Sequence, residues 1–136
     1  MRVCICGSML FIDAMEEMAA SLTTLGVVAV APVRDEADHI WSDLSEAEAI
    51  ETKRKFIRDY LDEIRTSDAV LIANYTKNGV VGYIGANTLM EAAFACALGK
   101  RVSLLFMPSE QACRLEALSI ADSVLNGDIS KFKEIP

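Results

Sequence analysis

Residues 67–75 read SDAVLIANY, and the five residues at 69–73 are all apolar. A strand that is apolar on both of its faces is typical of a parallel sheet that is covered by helices on both sides. Similar short apolar runs occur at residues 3–6, 27–30 and 102–106, and a shorter one occurs at 123–125. These runs predict a sheet of five parallel strands.

Helical spacing occupies the segments between these runs. Apolar residues recur every three or four positions over 10–25, and Ser45 with Glu48 forms a capping-box pattern that begins a helix ending near residue 65. Further helices are predicted over 87–98, with Asn87 as N-cap, and over 109–121, whereas residues 34–43 predict a polar loop. We also predict that Ile50 faces inward on the second helix.

Alternating strands and helices predict a flavodoxin-like or Rossmann-like three-layer α/β sandwich, because right-handed crossovers place helices on both faces of the sheet. The expected strand order is 2-1-3-4-5. A chain of 136 residues suits one domain, which we place at residues 1–136.

The charge and hydropathy of the chain exclude several partners. The net charge is −7, with 13 basic residues scattered among 20 acidic ones, so a nucleic-acid polymer is not an expected ligand. No apolar run approaches the roughly 20 residues needed to cross a bilayer. The first eight residues do not have the features of a signal peptide, and we expect a cytoplasmic protein. A small anion could still bind to the amides at the start of a helix.

The four cysteines are Cys4, Cys6, Cys96 and Cys113. Their spacing lacks the paired pattern of a zinc site, so we expect buried, reduced thiols and predict no metal and no organic cofactor. Cys4 and Cys6 alternate along the first strand and should share one face of the sheet.

A ligand-binding crevice is expected where the strand order reverses, between the ends of strands one and three. The loops at these ends are Gly7-Ser8-Met9 and residues 74–86. Gly7 would let a ligand approach the backbone, although a strand-ending glycine can equally be a simple turn. Tyr83 could contact a sugar or base, or pack within its loop.

Glu91 is the single acid in the stretch GYIGANTLMEAAFACALG, residues 82–99. It follows the second loop, at the edge of the first turn of a helix that is apolar nearly all round, which predicts a buried helix. A carboxylate near a helix N-terminus is favoured by the helix dipole, by about 0.3–1 kcal/mol. Burying it without a partner costs several kcal/mol, which is usually tolerated where the charge has a function. The residues alone leave both explanations open.

Three segments together resemble the nucleoside 2-deoxyribosyltransferase superfamily, which includes the 2′-deoxynucleoside 5′-monophosphate N-glycosidases. They are CICGSM, SDAVLIANY and GANTLMEAAFACALGKRVSLL. The resemblance covers most of the chain and implies that Glu91 is a nucleophile that attacks C1′ of a 2-deoxyribosyl group. It implies further that Gly7, Ser8 and the residues Gly85, Asn87 and Thr88 line the sugar and any 5′-phosphate, and that the protein is a homodimer or a higher homo-oligomer.

The chain departs from the family pattern at three positions. Cys4 replaces a tyrosine that orients the nucleophile, and Met9 replaces an arginine of the monophosphate hydrolases. Tyr60 occupies the position of the aspartate that protonates the departing base. We assign that role to the adjacent Asp59, which requires a helix shifted or rotated by about 100°; otherwise Asp59 is a solvated surface acid.

These inferences predict an enzyme that cleaves or transfers at the N-glycosidic bond of a nucleoside or nucleotide, with Glu91 as nucleophile and Asp59 as acid. The alternative is a non-catalytic domain of the same fold that binds or senses a nucleotide or a related small molecule. Replacement of the family residues at positions 4 and 60 favours this alternative.

Overall fold

A computed structural model describes residues 1–134 and contains one parallel sheet. Its strands are β1 (Arg2–Cys6), β2 (Val28–Val30), β3 (Ala69–Ile72), β4 (Arg101–Leu104) and β5 (Ser123–Val124). The order is β2-β1-β3-β4-β5, and neighbouring strands are parallel throughout. The α/β flavodoxin-like architecture and strand order predicted from the sequence are confirmed.

The connecting elements are mostly helical. They are α1 (Ile12–Thr24), α2 (Arg34–Ala37), α3 (Glu46–Arg65), α4 (Ala86–Ala97) and α5 (Arg114–Ile120), with 3-10 turns at Met9–Phe11, Trp41–Asp43 and Ile129–Glu134. The predicted capping box is present: the Ser45 hydroxyl accepts from Glu48 N at 3.1 Å, and Glu48 Oε1 accepts from Ser45 N at 3.3 Å.

Two apolar cores cover the two faces of the sheet. One packs α1 and Phe132 of the last 3-10 turn on Val3 and Ile5 of β1. The other packs α3, α4 and α5 on the opposite face, where Cys4 and Cys6 point. Successive strand residues are therefore buried in different cores, which explains why β1 and β3 are apolar throughout.

Several predicted boundaries are wrong. Residues 34–43 contain α2 and a 3-10 turn, and α5 begins at Arg114, five residues later than predicted. Gly85, not Asn87, is the N-cap of α4, so Asn87 lies inside the first turn. Ile50 is 51% exposed, because the first half of α3 packs beside residues 34–43 and only its second half, at Tyr60 and Ile64, reaches the sheet.

The prediction of a fully buried α4 is also wrong. Its buried residues are Thr88, Ala92 and Ala95, whereas Met90 and Leu98 are exposed. Cys96 lies on the exposed side and Cys113 is half-buried, so only Cys4 and Cys6 are the buried thiols expected from the sequence. The helix presents one face to the sheet and leaves the other apolar face open.

Candidate active site

A cleft of about 640 Å³ opens where the carboxyl ends of β1, β2 and β3 meet. Parallel α/β sheets bind ligands at this edge, where the strand order reverses beside β1. The end of β1 contributes residues 7–10, and the segment after β2 contributes residues from 34 to 41. The segment between β3 and α4 contributes Lys77, Tyr83 and Gly85, and the start of α4 contributes residues 86–88. Ile12 of α1 and Lys53 of α3 complete the lining. The cleft contains all seven predicted ligand-contacting residues: Gly7, Ser8, Met9, Tyr83, Gly85, Asn87 and Thr88.

The end of β1 forms a tight floor for this cleft. A Cβ at Gly7 would lie 2.9 Å from Met15 Sδ and 3.0 Å from Ala73 O, so a larger residue does not fit there. Ser8 caps the following 3-10 turn by accepting from Leu10 N at 3.4 Å. Its hydroxyl also accepts from Lys77 Nζ at 3.1 Å, which ties the β1 loop to the loop after β3.

The loop before α4 is held by two side-chain amides that the sequence analysis did not identify. Asn74 is buried and pairs with the Phe106 backbone, donating to O at 2.7 Å and accepting from N at 2.9 Å. Gln111 donates to Gly82 O at 3.0 Å and accepts from Ile84 N at 3.0 Å. Both amides replace the backbone partners that a strand or helix would have supplied, so Tyr83 and Gly85 are presented to the cleft in a fixed conformation.

The first turn of α4 directs a polar side chain at Glu91. Asn87 Nδ2 donates to Glu91 Oε1 at 3.4 Å, while Asn87 Oδ1 is buried with no hydrogen-bond partner among the described residues. Gly85 provides no side-chain cap. The backbone N–H groups at this helix start and the side-chain amide of Asn87 therefore give the cleft wall unsatisfied hydrogen-bonding groups next to the Glu91 carboxyl.

Glu91 follows the cleft-lining Asn87 by one helical turn and is itself outside the residues that line the cleft. Burial raises the pKa of its carboxyl from 4.5 to about 8. A hydrogen bond from Cys6 opposes this rise, and the charges of Glu36 and Lys53 act in opposite directions. No ion pair within residues 1–134 involves Glu91. Desolvation without a bound cation leaves the group protonated at neutral pH and reactive once ionised.

Cys6 and Tyr60 lie near Glu91 on the face of the sheet that they share with Cys4. The Tyr60 hydroxyl donates to Ile5 O, and burial, followed by the charge of Cys6, raises the pKa of Tyr60. Burial also raises the pKa of Cys6 well above its usual value. Tyr60 and Cys6 therefore stay neutral, and the surroundings of Glu91 are of low polarity. Tyr60 is therefore a buried neutral hydroxyl bonded to the sheet, and it does not donate a proton to the cleft.

Asp59 does not reach this cleft. Its side chain is exposed on α3 and lines a separate cavity with Lys55 and Glu63. The helix is not rotated in the way that the predicted acid role requires, because Tyr60 takes the inward position. The expectation that Asp59 shares a cleft with Glu91 is wrong, and Asp59 is a surface acid.

The segment after β2, which the sequence predicted as a polar loop, carries charged and aromatic side chains on the cleft wall. Glu36 and Lys53 form an ion pair of 2.7 Å on the cleft wall, and Lys53 Nζ lies 5.3 Å from the centre of the Trp41 ring. His39 packs against Trp41 at 5.3 Å. One feature of the sequence could have placed this segment in the cleft: it follows β2, and so lies at the same sheet edge as the other two loops.

The described residues offer neither a metal-binding cluster nor a membrane-spanning helix. Residues 1–134 contain no group of three or more His, Cys, Asp or Glu residues placed to hold a metal ion. Within the same range, no helix has both the length and the apolar composition required to cross a membrane.

Comparisons with solved structures find the same fold in enzymes that act on nucleosides and nucleotides. A 2-deoxyribosyltransferase from Bacillus psychrosaccharolyticus is 16% identical with a TM-score of 0.66, covering 100% of this chain and 93% of that one. A CMP N-glycosidase from Clostridium botulinum is 14% identical with a TM-score of 0.57, covering 99% and 100%. A 2-deoxyribosyltransferase from Leishmania mexicana is 18% identical with a TM-score of 0.53, covering 84% and 69%.

These TM-scores show a common fold, and the structural resemblance that the three sequence motifs predicted is confirmed. No protein-family model matches the sequence. No curated protein matches it either. The assignment of chemistry therefore depends on the residues of the cleft.

Proposed function

We propose that this protein is an enzyme that cleaves or transfers at the N-glycosidic bond of a nucleoside or nucleotide, with Glu91 as nucleophile. The observation that carries the proposal is a carboxyl that is desolvated, free of cationic partners and adjacent to a cleft at the ligand-binding edge of the sheet. The solved structures of the same fold are two 2-deoxyribosyltransferases and a CMP N-glycosidase, which supports this class of reaction.

The chemistry suits a buried carboxylate. In the first step the ionised Glu91 oxygen bonds to C1′ of the sugar while the C1′–N bond breaks, and the electron pair leaves with the base. Negative charge on Glu91 stabilises the oxocarbenium character of the transition state, and the product is a glycosyl ester. Water or a second base then attacks C1′ and releases the Glu91 carboxylate. Hydrolysis and transfer differ only in this second nucleophile.

The dimensions of the cleft fit a nucleoside. Ligand pockets commonly enclose roughly 300–1,000 Å³, and this one encloses about 640 Å³. Tyr83 and Trp41 offer aromatic surfaces for a base or sugar, and Ser8, Asn87 and Lys77 offer polar contacts. Ser8, Lys77 and the open amides of α4 could accommodate a 5′-phosphate, which brings both nucleosides and nucleotides within the proposal.

The alternative, a binding or sensing domain, is favoured by one observation. Asp59 lies outside the cleft, so the acid predicted for the departing base is missing from its expected place. A domain that only binds the ligand needs no such acid.

An assay of base release separates the two functions. The protein is incubated with purine and pyrimidine 2′-deoxynucleosides, ribonucleosides and their 5′-monophosphates, and free base is quantified by chromatography. We expect release from the wild type and from the matched control Asp59→Asn, and none from Glu91→Gln. A 2′-fluoro-substituted substrate should slow the second step and leave an adduct on Glu91 detectable by intact mass. Ligand binding with no release from any substrate selects the sensing domain.

We also propose that the protein is a homo-oligomer and that it works in the cytoplasm. The exposed apolar side chains Met90 and Leu98 on α4 are of the kind that an interface between copies would cover. The cysteines are all free, which suits a reducing compartment. Light scattering during size-exclusion chromatography measures the subunit number.

A further inference from the structure

Glu36, Lys53 and Trp41 form a unit on the cleft wall that the nucleophilic step does not use. Glu36 comes from α2, Trp41 from the 3-10 turn after it, and Lys53 from the second turn of α3. Lys53 Nζ donates to Glu36 Oε1 at 2.7 Å and lies 5.3 Å from the Trp41 ring centre. The side chain of Glu36 is only 13% exposed, so the pair is shielded on its carboxylate side and open at the ammonium.

On the cleft wall formed by the segment after β2 and by α3, Lys53 is the cation best able to donate a hydrogen bond to a ligand. Arg34 is engaged by Asp13 and Glu16 through hydrogen bonds of 2.6–3.1 Å. Lys77 belongs to the loop after β3 and donates to Ser8. An ammonium has three N–H groups, and the contacts of Lys53 with Glu36 and the Trp41 face leave capacity for a ligand in the cleft.

The topology places this unit beside the proposed nucleophile. The segment after β2 and the loop after β3 flank the end of β1, and Glu91 contacts Asn87 of the cleft lining. The charges of Glu36 and Lys53 both act on the Glu91 carboxyl, so the pair lies within electrostatic range of the position where C1′ would react.

Cleavage of an N-glycosidic bond leaves an electron pair on the base nitrogen, and the base departs as a costly anion unless a proton meets it. Asp59 is on the exposed face of α3 and does not supply that proton. We infer that Lys53, oriented by Glu36 and Trp41, is the catalytic acid that protonates the departing nucleobase. This inference rests on the proposed function and names the leaving-group acid of the same cleft.

The protons and electron pairs balance over a full turnover. As Glu91 bonds to C1′, the C1′–N pair moves to the base, and one proton passes from the Lys53 ammonium to the base, leaving a neutral amine. In the second step water bonds to C1′ and gives a proton to that amine, while the ester bond breaks and returns the Glu91 carboxylate. When a second base replaces water, its N–H proton restores Lys53 in the same way.

The test compares leaving groups that do and do not need a proton. 7-Methylguanine departs as a neutral molecule, whereas guanine departs as an anion. 5-Fluorouracil is a better leaving anion than uracil. The matched substrates are therefore 2′-deoxyguanosine with its 7-methyl derivative, and 2′-deoxyuridine with its 5-fluoro derivative, each also as the 5′-monophosphate. Base release is measured for the wild type, Lys53→Met, Glu36→Gln and Glu91→Gln, after subtraction of spontaneous release. Lys55→Met is the matched control, because Lys55 is an exposed lysine of the same helix outside the cleft.

We expect Lys53→Met to lower kcat/KM for the unmodified substrates by about 10²–10⁴-fold, the usual contribution of a general acid. The loss should shrink to less than about tenfold for the 7-methyl substrate and be intermediate for the 5-fluoro substrate. Glu36→Gln should show the same ordering with smaller losses, which keeps the test valid if Lys53→Met does not fold.

Two results overturn the inference, and they differ. Equal losses on all leaving groups in Lys53→Met and Glu36→Gln, with Glu91→Gln inactive, would remove Lys53 as the acid and leave the proposed function intact. No release of any base by the wild type removes the proposed function and the Lys53 assignment together.

Discussion

The raised pKa of Glu91 predicts a pH-dependent cost to folding that the substitution Glu91→Gln removes. The carboxyl has a pKa of about 8 in the folded protein and an ordinary value of 4.5 in the unfolded chain. Between these values the folded state binds a proton that the unfolded state has lost. The stability contributed by protonated Glu91 is therefore fully present below 4.5, falls as pH rises, and is lost above about 8.

The size of this effect follows from the pKa difference. One pH unit corresponds to about 1.4 kcal/mol, so the full difference between 4.5 and 8 amounts to about 5 kcal/mol. Measured between pH 5 and pH 9, the wild type should lose about 4 kcal/mol of unfolding free energy that Glu91→Gln retains, because the amide does not ionise. With a urea dependence of about 2 kcal/mol per molar, this is a difference of about 2 M in midpoint.

The assay is equilibrium urea unfolding followed by circular dichroism at pH 5, 7 and 9. Asp59→Asn is the control, because it removes an exposed carboxyl from the same protein and should follow the wild type at each pH. If Glu91→Gln and the wild type lose stability in parallel from pH 5 to pH 9, Glu91 is not desolvated and the premise of the nucleophile assignment fails. This experiment needs no substrate and tests the electrostatics independently of catalysis.

Three further predictions concern the reaction and the fold. Since only ionised Glu91 attacks, kcat/KM should rise about tenfold per pH unit below pH 8 and level off above it, and a profile flat from pH 6 to 9 would contradict this. Gly82→Ala should lower the unfolding free energy by about 1–3 kcal/mol in thermal melts, because φ is +65° and the new Cβ would lie 2.7 Å from Met107 O. The control Gly26→Ala has positive φ without a clash and should cost less. Ser45→Ala should cost about 1 kcal/mol by loss of the capping box, and an unchanged melting temperature would show that the cap is not stabilising.

The sequence predicted one wall of the cleft and missed the other. Gly7, Ser8 and the start of α4 could be found because they directly follow buried strands that the apolar runs identify. Glu36 and Lys53 could not, since their pairing joins α2 and α3 across 17 positions and depends on how α3 leans against the segment after β2. No local pattern in the chain marks that contact.

The rotation of α3 about its axis also determines that Asp59 faces solvent. In sequence, Asp59 and Tyr60 are adjacent, and either could face the sheet. The rotation is set by packing, because a buried tyrosine with its hydroxyl bonded to Ile5 O is far less costly than a buried carboxylate in the same place. The sequence therefore predicted the wrong rotation of α3 for Asp59, and Tyr60 takes the inward position without acting as the acid.

The sequence by itself determined the parallel sheet, its strand order and the presence of a lone acid at the start of an apolar helix, because these follow from local periodicity and chain connectivity. Only the tertiary structure decided that Glu91 is desolvated without a cation, that Asp59 faces solvent, and that Lys53 meets Glu36 at the cleft. Burial and charge pairing arise from elements distant in sequence. The electrostatics of the site therefore exist only once the chain is packed.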